Sequence, residues 1–122
     1  MKKLFLISIF IGLLLLTSCN DWSKGKFRLT NNTLNSIDSI CISPDKYFGK
    51  NCISLKPNET KYYETDMGEA TTDGGYLIKY KIGLISKSQM FGYFSNGNSM
   101  EKLTKIYFQA DTLKIESEYS KY

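Results

Sequence analysis

The sequence predicts an all-β domain built from packed sheets, preceded by an apolar leader. Beyond residue 25, short segments rich in Ile, Leu, Tyr and Phe are separated by breaks of Gly, Asn, Asp, Ser and Pro. Several of these segments alternate apolar and polar residues, the period of a strand with one buried and one wet face. After the leader, no window keeps the i, i+3, i+4, i+7 apolar stripe of a helix. The 122 residues, 42% of them hydrophobic and 23% charged, suffice for one small core.

The leader comes first. Lys2 and Lys3 open the chain, Leu4 to Leu16 run apolar apart from Ser8 and Gly12, and Thr17-Ser18-Cys19 close it. A positive start, a short apolar stretch and small residues after it are the parts of a secretory signal. At ~1.5 Å per residue the apolar run spans ~20 Å, short of a ~30 Å hydrocarbon core. A signal helix over residues 1–18 is therefore expected, and Asn20 to Gly25 read as a polar tether.

The strands follow. Candidates are residues 26–30, 36–43, 51–55, 61–65, 76–86, 89–94, 102–109 and 113–117. Between them lie Asn31-Asn32, Ser43-Pro44-Asp45, Lys56-Pro57-Asn58-Glu59, Asp73-Gly74-Gly75 and Asn96-Gly97-Asn98, all turn chemistry. Alternation puts Tyr76, Ile78, Tyr80, Ile82 and Leu84 on one face and Leu77, Lys79, Lys81 and Gly83 on the other. Ile40 and Ile42 likewise oppose Ser39 and Cys41, Ile53 and Leu55 oppose Cys52 and Ser54, and Leu113 and Ile115 oppose Lys114 and Glu116. Seven or eight such strands predict an antiparallel sandwich over residues 26–118, with residues 119–122 as a tail. The pattern is similar to immunoglobulin-like or transthyretin-like sandwiches, with a small closed β-barrel as the alternative.

Leu16-Thr17-Ser18-Cys19 resembles the lipobox of bacterial lipoprotein precursors: an aliphatic residue, two small residues and a cysteine. The resemblance implies cleavage before Cys19, a diacylglycerol on its thiol and a further acyl chain, such as palmitate, on its new amino group. Two or more acyl chains hold a protein to a bilayer without help from its surface. The bilayer is then the first partner, and the expected place is the bacterial envelope, at an outer membrane, with the periplasmic or surface side left open. The domain beyond the lipobox is similar to small β-sandwich lipoproteins without pointing to one family. Loss of Lys2 and Lys3 with the leader lowers the formal net charge from +4 to +2. Nucleic acid is not expected as a partner at that charge.

With Cys19 acylated, Cys41 and Cys52 remain as an even pair in an oxidising compartment. A hairpin that sets Ile40 against Ile53 brings Cys41 directly opposite Cys52, within disulfide reach. A structural disulfide is expected, with two buried thiols as the alternative.

The chemistry-bearing residues are sparse. The chain has no histidine, which removes Ser-His and Cys-His nucleophiles and His-ligated metals. No cofactor is expected. Glu64, Asp66, Glu69 and Asp73 crowd a stretch that also holds Gly68, Gly74 and Gly75. Asp66, Glu69 and Asp73 make a weak Ca²⁺ candidate, and a solvated connector is the ordinary alternative. Two of the four as a glycosidase acid/base pair would need a pocket and one raised pKa.

Neighbouring aromatics at Tyr62-Tyr63, Tyr93-Phe94 and Tyr107-Phe108 must split between faces. Tyr63, Phe91, Tyr93 and Tyr107 are taken as candidate binding residues off the core, against plain cross-strand packing. Lys79, Lys81, Lys105 and Lys114 are candidates for one basic stripe, or for a merely solubilising surface. The expected role is a non-catalytic module that binds an envelope protein or glycan. An inhibitor of a hostile enzyme is a special case of that role. A structural subunit of an envelope assembly and a carboxylate-based glycan hydrolase are the alternatives.

Overall fold

The structure is a computed structural model and describes residues 23–44, 51–68, 70 and 72–119. The expected signal helix, Cys19 and the last three residues of the expected tail lie outside the described residues. Strands are numbered along the chain. One sheet has the order β4 (Thr60–Asp66), β1 (Lys24–Asn31), β8 (Leu103–Phe108), β9 (Leu113–Glu118). The other has the order β3 (Ile53–Leu55), β2 (Ile37–Pro44), β5 (Gly74–Ile82), β6 (Ile85–Ser95), β7 (Asn98–Ser99). The two are packed face to face as a sandwich, and the all-β expectation holds.

Details differ from the sequence reading. Pairing is antiparallel except between β1 and β8, which run parallel with Phe27 against Thr104 and Leu29 against Ile106. Alternation has the same period in both kinds of ladder, so it does not distinguish them. The expected strand over residues 76–86 is a strand, a turn and the start of the next strand. Ile82 pairs with Ile85, leaving Gly83-Leu84 as a two-residue turn, and Leu84, expected on the core face, is fully exposed at 103%. The strand without a counterpart in the sequence reading, β7, is the short return arm of the Asn96-Gly97 turn, in which both residues have positive φ. A Cβ on Gly97 would collide with the Ala70 carbonyl, so this position admits glycine alone.

The core lies between the sheets. Phe27, Leu29, Tyr63, Ile106 and Phe108 from the four-stranded sheet meet Ile37, Ile40, Ile42, Tyr76, Ile78 and Tyr80 from the other. Phe27 and Tyr76 are edge-to-face at 5.2 Å, and Tyr80 and Phe108 at 5.1 Å. Each such pair contributes ~0.5–1.5 kcal/mol beyond its burial.

Two bulges set which residues face in. In β2 the register shifts between Asp38 and Cys41 around Ser39, whose φ is 53°, so Ile37 and Ile40 are both buried. In β6 it shifts around Gly92, at φ 68°, so Phe91 and Phe94 both enter the core and Tyr93 is turned out. Gly92 serves here because this backbone conformation is costly for a residue with a side chain.

A buried amide ties the sheets at one end. Asn31 of β1 is fully buried and donates from Nδ2 to the Asn35 carbonyl (2.8 Å) and the Leu55 carbonyl of β3 (3.3 Å). Its Oδ1 accepts from the Thr33 backbone N–H (2.9 Å) and hydroxyl (2.7 Å).

Candidate functional site

The aromatic candidates divide. Tyr63 is 3% exposed, and its hydroxyl donates to the Asn51 carbonyl at 2.6 Å and accepts from the Ile42 N–H at 3.1 Å. Burial pushes its pKa up, with the Ile42 hydrogen bond pulling against it. Phe91 stacks among Phe27 and Tyr76. Both are core residues, which corrects their place among the binding candidates. In each neighbouring pair the first ring faces away from the core and the second faces in: Tyr62 with Tyr63, Tyr93 with Phe94, Tyr107 with Phe108. Tyr63 is inside because Ile42 of β2 and Asn51, just before β3, supply partners for its hydroxyl.

The remaining two do not meet. Tyr107 is half-buried on the four-stranded sheet, with the Lys114 ammonium 5.9 Å from its ring centre. Tyr93 is 51% exposed on the outer side of the five-stranded sheet, and its hydroxyl donates to Asp73 Oδ2 at 3.1 Å.

The carboxylates serve local structure. Asp66 Oδ1 accepts from the Gly68 N–H at 2.8 Å, and Glu64 accepts from the Tyr62 hydroxyl at 3.1 Å. Burial, joined by Glu64, pushes Tyr62 up to about 12. The Asn96 N–H, at 2.8 Å, and the Tyr93 hydroxyl hold Asp73 below its ordinary range. That is the opposite of what a general acid requires. Glu69 lies outside the described residues. Among the described residues no group of three His, Cys, Asp or Glu side chains is placed to hold a metal.

The lysines also separate. Lys105 and Lys114 are on the four-stranded sheet, where acids answer them: Lys105–Glu118 at 2.7 Å and Lys114–Glu116 at 3.3 Å. Lys24 meets Glu64 at 3.7 Å on the same face. Lys79 and Lys81 stand on β5 in the other sheet, so the four do not form one stripe.

Around Lys79 and Lys81 the five-stranded sheet has an open hollow of about 390 Å³, lined by residues that include Ser39, Cys41, Ser86 and Ser88. Its origin lies in the register. Lys79 pairs with Cys41 on one side and Ser88 on the other, while Lys81 pairs with Asp38 and Ser86. Long stems thus rise beside short side chains. One wall is fixed by the Cys41–Cys52 disulfide, whose Cα atoms are 4.6 Å apart. Ile40 does pair with Ile53, the register that the sequence required for this bond. Along β6 from Ser88, the same outer face carries exposed Met90 and then Tyr93.

Sequence reasoning passed over one titratable residue. Glu101 is 7% exposed, and its Oε2 is buried without a hydrogen-bond partner, as is the Tyr76 hydroxyl. Burial pushes the Glu101 pKa up, and burial with the nearby Glu101 charge pushes Tyr76 up to about 12. The signal available in the sequence was an acid three residues beyond Asn98, with nothing to mark it as buried. A raised folded pKa means that the native state holds this proton more tightly than the unfolded chain. Stability is then greatest below the ordinary glutamate pKa and falls as pH rises through the folded value. Glu101→Gln is expected to flatten this slope and to gain on the order of 1 kcal/mol at neutral pH, read from urea melts across pH 4–8.

Neither the scan against protein-family models nor the search of curated proteins finds a match for this chain.

Proposed function

We propose that the chain is a bacterial envelope lipoprotein, held to a membrane by acylated Cys19, whose sandwich binds a protein or glycan without catalysing a reaction. The leader and the Leu16-Thr17-Ser18-Cys19 motif support the anchor. The observation that carries the binding role is the outer face of the five-stranded sheet. There an exposed ring, Tyr93, with its hydroxyl fixed by Asp73, lies along β6 from a solvent-open hollow. A ring held by its own hydrogen bond loses little freedom when a ligand stacks on it, which favours recognition.

The test is capture by the intact lipidated protein from its own envelope, compared with a Tyr93→Ala/Met90→Ala variant. At least tenfold less co-purifying partner is expected with the variant. Equal capture, or a full-length product with unmodified Cys19 by mass spectrometry, removes the reading.

A role as a subunit of an envelope assembly has one observation of its own. Among the described residues β6 pairs with β7 only at Phe94 and Ser95, so residues 85–93 form a sheet edge that itself carries exposed Ile85 and Met90. The same preparation tests it, as a homo-oligomer whose size follows protein concentration.

A further inference from the structure

We infer that the free edge of β6 takes the same edge of a second copy of this chain, antiparallel and centred on Ser88, so that two five-stranded sheets join into one. This rests on the second reading above, that the β6 edge makes a subunit contact, and it names the partner and the register.

The turn before β6 fixes which backbone groups face outward. Ile82 and Ile85 flank a two-residue turn whose first residue, Gly83, has φ 61°. In such a hairpin the flanking pair exchanges both of its backbone hydrogen bonds. The ladder then runs without a register shift as far as Tyr76 and Phe91, so Ile85, Lys87, Gln89 and Phe91 bond to β5. Ser86, Ser88 and Met90 turn their N–H and carbonyl groups to the other side. Among the described residues no strand pairs with that side before Phe94.

The other described edges are protected. Strand β3 has three residues, β4 carries Lys61, Glu64 and Asp66, and β9 carries Lys114, Glu116 and Glu118. Short length and charge both discourage pairing with another chain. Strand β6 has 11 residues, of which Lys87 is the charged one, and it exposes Ile85 and Met90.

The sequence of the edge selects the register. Centred on Lys87, the two copies set that ammonium directly against itself, which is unfavourable. Centred on Gln89, the turn of the second copy runs into β7, which already bonds Phe94 and Ser95. Centred on Ser88, Ser86 lies opposite Met90 of the second copy and Ser88 opposite Ser88, so every outward residue is paired. Lys87 then faces Gln89, and exposed Ile85 lies beside Phe91 on one face. This contact is the same on both copies and closes, whereas β6 against a different edge would grow an open filament. A ladder over residues 85–91 is well short of the ~20–30 residues a side of a standard interface, so the pair dissociates on dilution.

The experiment uses the intact lipidated protein in detergent micelles, with Cys19 acylated and Cys41 bridged to Cys52. Ser88→Cys is expected to cross-link to itself on oxidation, because Cα atoms of such a pair lie ~5.5 Å apart, within disulfide reach. Ser86→Cys alone and Met90→Cys alone are expected not to, each lying ~14 Å along the strand from its copy. A mixture of those two variants is expected to cross-link. Ser88→Pro removes an outward donor and spares the ladder to β5, and should weaken self-association by sedimentation at least tenfold. Self-association that Ser88→Pro leaves unchanged, with no bond in Ser88→Cys, overturns the inference but leaves a subunit contact elsewhere on the surface. A chain that stays monomeric at every concentration also overturns it. If that monomer captures another envelope protein and Ser88→Pro releases it, the edge takes a foreign strand; if it does not, the subunit reading falls as well.

Discussion

Asn31→Ala is expected to destabilise the domain by about 3 kcal/mol or more, the largest effect of any single polar substitution considered for this chain. The side chain makes four hydrogen bonds while fully buried, and one of them crosses from β1 to the β3 carbonyl of Leu55. Truncation leaves the Leu55 carbonyl and the Thr33 groups without this partner, and each buried group so stranded costs ~1–3 kcal/mol. The neighbouring backbone depends on the same place, since Asn31 exchanges hydrogen bonds with Asn58 and Glu59 at the β3–β4 turn. Asn31→Asp separates the contributions. It keeps the acceptor for Thr33, loses both donors and adds a charge, so its loss should grow as pH rises and the carboxyl ionises. Urea melts at pH 4 and pH 7 read both variants. An alanine variant within 0.5 kcal/mol of wild type would mean that water replaces the amide.

Replacing both bridged cysteines, as Cys41→Ser/Cys52→Ser, is expected to cost about 3 kcal/mol, the loop-closure value for a sequence separation of 11. The consequences should be local before they are global. Strand β3 has three residues and one strand neighbour, β2, so the bond is a principal restraint on that edge. The Tyr63 hydroxyl reaches across to Ile42 and to Asn51, the residue before Cys52, and its geometry should loosen with the bond. Amide exchange at residues 53–55 is expected to speed up first, and addition of reductant should reproduce the melt of the double variant. Equal melts with and without reductant would show that packing alone holds the edge.

The sequence made the strands and the bridge legible because both depend on local pattern. Alternation in residues 76–82 assigns Tyr76, Ile78 and Tyr80 inward and Lys79 and Lys81 outward, as found. The bridge followed from placing Ile40 against Ile53. What stayed hidden depends on partners distant in sequence or on a break in the period. The bulges at Ser39 and Gly92 reset the alternation, so Phe91 could not be assigned a face from its neighbours. Tyr63 was misplaced because a buried hydroxyl needs acceptors, and those come from Ile42 of β2 and from Asn51 just before β3. The hollow was concealed by reading residues 76–86 as one strand. Once Gly83-Leu84 is a turn, Ser86 and Ser88 fall opposite Lys81 and Lys79.

The position of β1 has a mechanical consequence. It is an interior strand, hydrogen-bonded along one flank to β4 and along the other to β8. Tension reaching the domain through the residues before Lys24 enters along the axis of that strand. Both rows of bonds are then loaded in shear and must slip together, rather than opening one rung after another as a hairpin does when its ends are pulled apart. On the proposed anchoring through Cys19, that is the load which this strand is placed to resist.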